Sequence, residues 1–184
     1  MAGQRLSGRR ILMVIAPAQF RDEELLEPKK IFLQEGAEVV IAASKLGDVR
    51  GMLGGTVSPD ILISDAKPEQ YDACVIVGGM GSPTHLWNDI ELHEILRSME
   101  PADKVIAAIC LSTAVLAKAG VIEDRKVTVF ATDESLAALK EGGAIYLKEH
   151  VVRDGLIITA DGPEAATKFG QVIVDTLSSV PARA

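Results

Sequence analysis

A single thiol, Cys110, follows the apolar, β-branched run at residues 104–109 and precedes a helix-like stretch that Gly120 would stop. Strand, sharp turn and helix in that order would lift the side chain clear of a sheet. The unpaired N–H groups and positive dipole end of the helix start favour a thiolate. The N–H of Leu111 is free to donate to a developing oxyanion. These features make Cys110 a candidate nucleophile with an unusually acidic thiol. The competing reading is a small buried hydrophobe, the usual fate of a free cysteine. Cys74 sits mid-strand among valine and isoleucine and reads as structural.

A thiol nucleophile needs a proton carrier nearby. The acidic run Asp22-Glu23-Glu24 offers Glu23 or Glu24. A carboxylate facing a thiolate is repelled, so one of the two should hold a proton. The useful state is a neutral carboxylic acid donating a hydrogen bond to the thiolate. The same three residues are also what a helix N-terminus favours through its dipole alone. Gly78-Gly79 lets the backbone pass close to a ligand and offers a second N–H for an oxyanion, or is merely a tight strand exit. His85 follows Gly79 closely and is a possible auxiliary base; His93 and His150 read as surface residues. Three scattered histidines and two cysteines fit no metal-ligand spacing, so no metal is expected.

Alternating elements must position these groups. Residues 11–16, 38–43, 73–77 and 104–109 read as buried strands, with a short strand at 127–130. Residues 22–34, 86–99, 134–140 and 163–177 read as helices; Pro28 would mark the first full turn of its helix or kink it. Residues 47–63 fit a hairpin or looped excursion, and residues 150–159 a hairpin around Asp154-Gly155. The alternation predicts an α/β, mostly parallel sheet with helices on both faces. Ligands bind beyond the carboxyl ends of strands in such sheets. The loops after Ala16, Val77 and Ile109 would therefore bring Glu23 and Glu24, Gly78-Gly79 and Cys110 to one place.

Bulk properties agree. The 184 residues are 48% apolar but only 4% aromatic, so the core must be aliphatic. The length predicts one domain, residues 1–184, with a flexible leader over about residues 1–9 that holds Arg5 and Arg9. A net charge of −7 argues against nucleic acid or an anionic membrane as the main partner. The apolar run at 11–16 is too short for a signal or a membrane span, which suggests a cytoplasmic protein.

Taken together, the segments resemble the ThiJ/PfpI family, also called the DJ-1 superfamily, of the class I glutamine amidotransferase-like fold group. They are Phe20-Arg21-Asp22-Glu23-Glu24-Leu25-Leu26-Glu27-Pro28, Val77-Gly78-Gly79, Ala107-Ala108-Ile109-Cys110, and Asp154-Gly155-Leu156-Ile157-Ile158-Thr159 with Gly162-Pro163. They occur in family order and cover nearly the whole chain from about Arg10. The resemblance implies a flavodoxin-like three-layer sandwich with a nucleophile elbow. A Glu four residues before a Pro selects Glu24 over Glu23. The oxyanion donors map to the backbone of Gly79 and Leu111. A homo-oligomer, commonly a dimer, is implied as well.

The departures bear on function. Relatives called intracellular peptidases carry His after the nucleophile, where this chain has Leu111. The parkinsonism-associated branch has Ala there and a His near the position of Phe130. The usual Gly-Pro after the elbow becomes Ser112-Thr113, and an Arg common before the later Gly-Pro becomes Asp161. The expectation is a cysteine-dependent enzyme acting on small reactive carbonyls, like glutathione-independent glyoxalases and deglycases, with no cofactor. One alternative is an intracellular cysteine peptidase, with His85 or a neighbouring subunit supplying the base. Another is a non-enzymatic redox-sensing stress protein or chaperone, with Cys110 oxidised to sulfinic acid and held by Glu24.

Overall fold

Runs of valine, isoleucine and alanine form strands that can be buried on both faces, and here they build one central sheet. The computed structural model describes residues 3–183. Its strands are β1 (Arg10–Val14), β2 (Glu38–Ala43), β3 (Val49–Arg50), β4 (Thr56–Val57), β5 (Ile61–Leu62), β6 (Ala73–Ile76), β7 (Val105–Ile109), β8 (Lys126–Val127), β9 (Ile145–Tyr146), β10 (Val151–Asp154) and β11 (Ile157–Ala160). Its helices are α1 (Asp22–Gln34), α2 (Ser82–His85), α3 (Ile90–Met99), α4 (Thr113–Ala119), α5 (Asp133–Glu141) and α6 (Ala166–Ser178).

Among the described residues the main sheet has seven strands in the order β10-β11-β7-β6-β1-β2-β5. Every pairing is parallel except β10 with β11, the hairpin expected around Asp154-Gly155. Gly155 takes φ +62° there, in the region glycine tolerates best. Helices cover both faces: α1 packs on α6, and α4 packs on α3 and α5. The α/β three-layer architecture is thus as expected.

Details depart from the sequence reading for local reasons. The helix expected over 86–99 begins only at Ile90, because the Asp89 side chain caps it by accepting the Leu92 N–H at 2.9 Å. The strand at 127–130 shrinks to β8. Pro28 lies inside α1 without ending it and buries against α6, where a Cβ on Gly170 would stand 3.0 Å from Pro28 Cα. Of the flexible leader expected over about residues 1–9, residues 1 and 2 lie outside the described residues, and the rest is corrected at Arg5, Leu6 and Arg9. Leu6 is fully buried, and Arg5 pairs with Glu35 at 3.1 Å and Asp175 at 2.8 Å. Arg9 is buried against Asp72 and the carbonyls of Val180 and Pro181. No helix of the described residues is long and apolar enough to cross a membrane.

Register sets the geometry of the site. Val14 pairs with Ile76, Ile76 with Ala108, and Ile109 with Ala160. The chain therefore leaves β1, β6, β7 and β11 along one edge of the sheet.

Candidate active site

Cys110 follows β7 directly, with φ +60°. Its predecessor Ile109 is still extended, and the next residues wind into a tight turn that becomes α4. A left-handed backbone is costly for a residue with a Cβ and persists only where its surroundings hold it. Several named bonds hold it here. Phe130 N–H donates to the Cys110 carbonyl at 3.2 Å. Trp87 Nε1 donates to the Leu111 carbonyl at 2.9 Å. His93 Nε2 lies 2.9 Å from the Trp87 carbonyl and so donates to it.

Three backbone N–H groups face the site, and each belongs to a peptide whose carbonyl is fixed. The Leu111 N–H shares its peptide with the Cys110 carbonyl, held by Phe130. The Gly79 N–H shares its peptide with the Gly78 carbonyl, which accepts the Arg21 N–H at 3.0 Å. The Gly78 N–H shares its peptide with the Val77 carbonyl, which accepts the Ser112 hydroxyl at 2.7 Å. The Leu111 and Gly79 N–H groups lie close enough to the Cys110 sulfur to favour its thiolate. The Gly78 N–H donates to Glu24 Oε2 at 2.9 Å.

The glycines are required by close approach. A Cβ on Gly78 would lie 2.5 Å from Glu24 Oε2 and 2.6 Å from Cys110 Cβ. Gly79 has φ +111°, and its Cβ would meet the Arg21 nitrogen at 2.4 Å.

The acidic run divides into three roles. Asp22 is buried and accepts the N–H groups of Leu53 and Gly55, both at 2.8 Å, which ties the β3–β4 hairpin to α1. Glu23 turns outward and takes the Arg21 guanidinium in two bonds of 2.8 and 3.0 Å. Glu24 turns inward and is fully buried. Its Oε1 has no partner in hydrogen-bond geometry, although the Cys110 thiol adjoins the carboxyl closely enough to act on it.

Burial pushes the Glu24 carboxyl up to about 7, against the pull of Cys110 and the Gly78 N–H. Burial also pushes the Cys110 thiol up, and an ionised Glu24 pushes it further; the Leu111 and Gly79 N–H groups oppose both. The unusually acidic thiol expected from the helix start is therefore not what the site shows beside an ionised Glu24. The like-charge push disappears only when Glu24 holds the proton. Cys74 is raised by burial alone, to about 12, with no opposing donor.

The structure thus brings together Cys110, Glu24, Gly79 and Leu111. It does not bring His85 to them: that ring is exposed at the end of α2 and has no part in the surroundings of either group. His93, expected at the surface, is buried against Trp87. His150 is exposed and lies 3.0 Å from Asp161. A cleft of about 440 Å³ opens there, bounded by Phe130, Tyr146, His150 and Asp161. Cys110 and Asp161 follow the paired residues Ile109 and Ala160, so this cleft lies beside the elbow. A larger cavity of about 670 Å³ lies against Asp72 and Arg183 at the opposite ends of the strands. Among the described residues no group of three His, Cys, Asp or Glu side chains is placed to hold a metal ion.

Sequence reasoning missed Trp87, Ser82 and the supporting role of Ser112. The one available signal was Ser112-Thr113 in place of Gly-Pro. Arg21 was also passed over, although its charge reaches Glu24 and Cys110.

Comparison with known proteins agrees with this geometry. The model of the DJ-1/PfpI family matches residues 9–176. An uncharacterized protein of Methanocaldococcus jannaschii is 41% identical over 174 residues, 95% of this chain and 85% of its own. A glutathione-independent glyoxalase of Caenorhabditis elegans is 28% identical, over 90% of this chain and 87% of its own. The crystal structure of a ThiJ/PfpI domain protein from Brachyspira murdochii superposes with a TM-score of 0.88 at 33% identity, covering 94% of this chain and 98% of that one.

Proposed function

The chain belongs to the DJ-1/PfpI family, and from that premise we propose that it is a cysteine-dependent enzyme acting on small 2-oxoaldehydes. The observation that carries the reading is the Glu24–Cys110 pair, packed into the space that Gly78 leaves empty. A buried carboxyl raised to about 7 can both take and return a proton near neutrality. The glyoxalase named among the relatives supports the same chemistry.

In this reading the Cys110 thiolate adds to the aldehyde carbon and forms a C–S bond. The oxygen that gains charge is held by the Leu111 and Gly79 N–H groups and takes up a proton to give a hemithioacetal. Glu24 removes the proton from that carbon and returns one to the neighbouring carbonyl carbon, whose oxygen takes up the hydroxyl proton of the hemithioacetal. The former aldehyde carbon is oxidised to a thioester and its neighbour reduced to a secondary alcohol, so no external oxidant or reductant is consumed. Water then cleaves the C–S bond, releases the 2-hydroxy acid and restores the thiol. The cleft by Phe130 and Asp161 receives the part of the substrate that does not react.

The test is a carbonyl panel on wild type and Cys110→Ser. Methylglyoxal consumed with stoichiometric lactate by wild type, and lost in Cys110→Ser, is the expected result. Undiminished lactate formation in Cys110→Ser would overturn it. Casein cleavage by wild type without lactate would point to the peptidase reading. Peroxide-driven Cys110 sulfinic acid, with neither activity, would point to redox sensing.

A further inference from the structure

The carboxyl that exchanges a proton in this site has two oxygens, and the surrounding bonds make them unequal. Ser112 Oγ donates its hydroxyl proton to the Val77 carbonyl at 2.7 Å. A serine has only one such proton. The 2.7 Å contact between Ser82 Oγ and Ser112 Oγ must therefore run from Ser82 to Ser112. The Val77 carbonyl and the Gly78 N–H are two ends of one peptide, and that N–H donates to Glu24 Oε2 at 2.9 Å. The whole series has one direction: Ser82 hydroxyl, Ser112 hydroxyl, Val77–Gly78 peptide, Glu24.

All three side chains, Ser82, Ser112 and Glu24, are fully buried. In a buried chain of this kind each hydrogen bond polarises the next. A carbonyl that accepts a strong hydrogen bond makes the N–H of the same peptide a better donor. That N–H ends on Oε2 alone. Glu24 Oε1 is buried with no partner in hydrogen-bond geometry. The adjacent Thr113 hydroxyl is buried without a partner too, so it takes no part in the series.

We propose that Ser82 and Ser112 are positioning residues for Glu24, whose relay commits Oε2 to accepting and leaves Oε1 as the oxygen that carries the exchanging proton. The proposal rests on the reading of Glu24 as the proton carrier, not on the identity of the carbonyl. It also gives the Ser112 hydroxyl a task that glycine could not perform. Without a hydroxyl at 112 the Val77 carbonyl loses its donor, and the Gly78 N–H relaxes.

The experiment reads the protonation of Glu24 directly. Infrared difference spectra between each protein and its Glu24→Gln counterpart, recorded against pH, isolate the C=O stretch of the protonated Glu24 carboxyl. Weakening the donor to Oε2 disfavours the ionised form. Ser112→Ala should therefore raise the Glu24 titration midpoint by about half a pH unit. Ser82→Ala should raise it less. Ser112→Thr, which keeps the hydroxyl, should return it to the wild-type value, and Thr113→Ala should leave it there. An unchanged or lowered midpoint in Ser112→Ala overturns the proposal, as does an equal shift in Thr113→Ala. If Ser112→Ala does not fold, the sign of the Ser82→Ala shift decides. Lactate formation with no midpoint shift would sink the relay alone. A midpoint shift without any carbonyl turnover would sink the proposed reaction alone.

Discussion

Gly78 and Glu24 meet at a distance that leaves no room for a side chain: the N–H of one lies 2.9 Å from Oε2 of the other, and a Cβ on residue 78 would stand 2.5 Å from that oxygen. The same Cβ would press on Cys110 at 2.6 Å. Gly78→Ala should therefore separate the carboxyl from the thiol. Turnover should fall by about 10²-fold or more, the scale of losing a positioned proton carrier. Overpacking should cost about 1–3 kcal/mol of stability, read by chemical denaturation. Wild-type turnover in a folded Gly78→Ala protein would show that the pair tolerates separation.

Glu24→Gln should lower turnover by about 10²–10⁴-fold, since glutamine keeps the shape but cannot carry a proton between carbons. Glu23→Gln should change turnover little, because Glu23 faces outward to Arg21. Steady-state kinetics on the two variants decide the matter. A larger loss in Glu23→Gln would move the proton carrier one residue.

The raised Glu24 carboxyl also makes stability depend on pH. Its folded value of about 7 lies above its ordinary 4.5. Between those values the native state binds more protons than the unfolded chain, so stability falls as pH rises. The contribution is whole below about pH 4.5 and is lost as pH climbs through about 7, with a total on the order of 3 kcal/mol. Glu24→Gln should lack this slope. The difference in unfolding free energy, wild type minus variant, should fall by on the order of 3 kcal/mol from pH 4.5 to 8.

Iodoacetamide should alkylate Cys110 in the folded protein and spare Cys74. Cys110 retains 7% of its surface and has the Leu111 and Gly79 N–H groups beside its sulfur, whereas Cys74 is fully enclosed. Peptide mapping after labelling should find Cys74 modified only when denaturant is present. Equal labelling of both in the native state would contradict the packing.

The elements that carry local patterns were legible in the sequence. The acidic start of α1, its stop at Gly36 and the turn at Gly155 are written in side chains that act within a few residues of themselves. The strand before Cys110 and the helix after it are legible for the same reason. Glu24 was separable from Glu23 only through its spacing to Pro28, a resemblance rather than a force. Contacts across the fold were not legible. Ser82 and Ser112 meet over thirty positions, and Trp87 reaches the Leu111 carbonyl from another element. His85 misled because closeness to Gly79 along the chain says nothing about which way α2 turns. The thiol's acidity misled because a helix start predicts the donors but not the enclosure around them.

The left-handed backbone at Cys110 has a consequence for substitution at that position. Glycine is the residue that conformation accepts most readily. A cysteine there carries conformational strain, and it sets a thiol against a carboxyl in an enclosed space. Cys110→Gly should therefore relieve that strain while removing the thiol, so stability and chemistry pull in opposite directions at this one position.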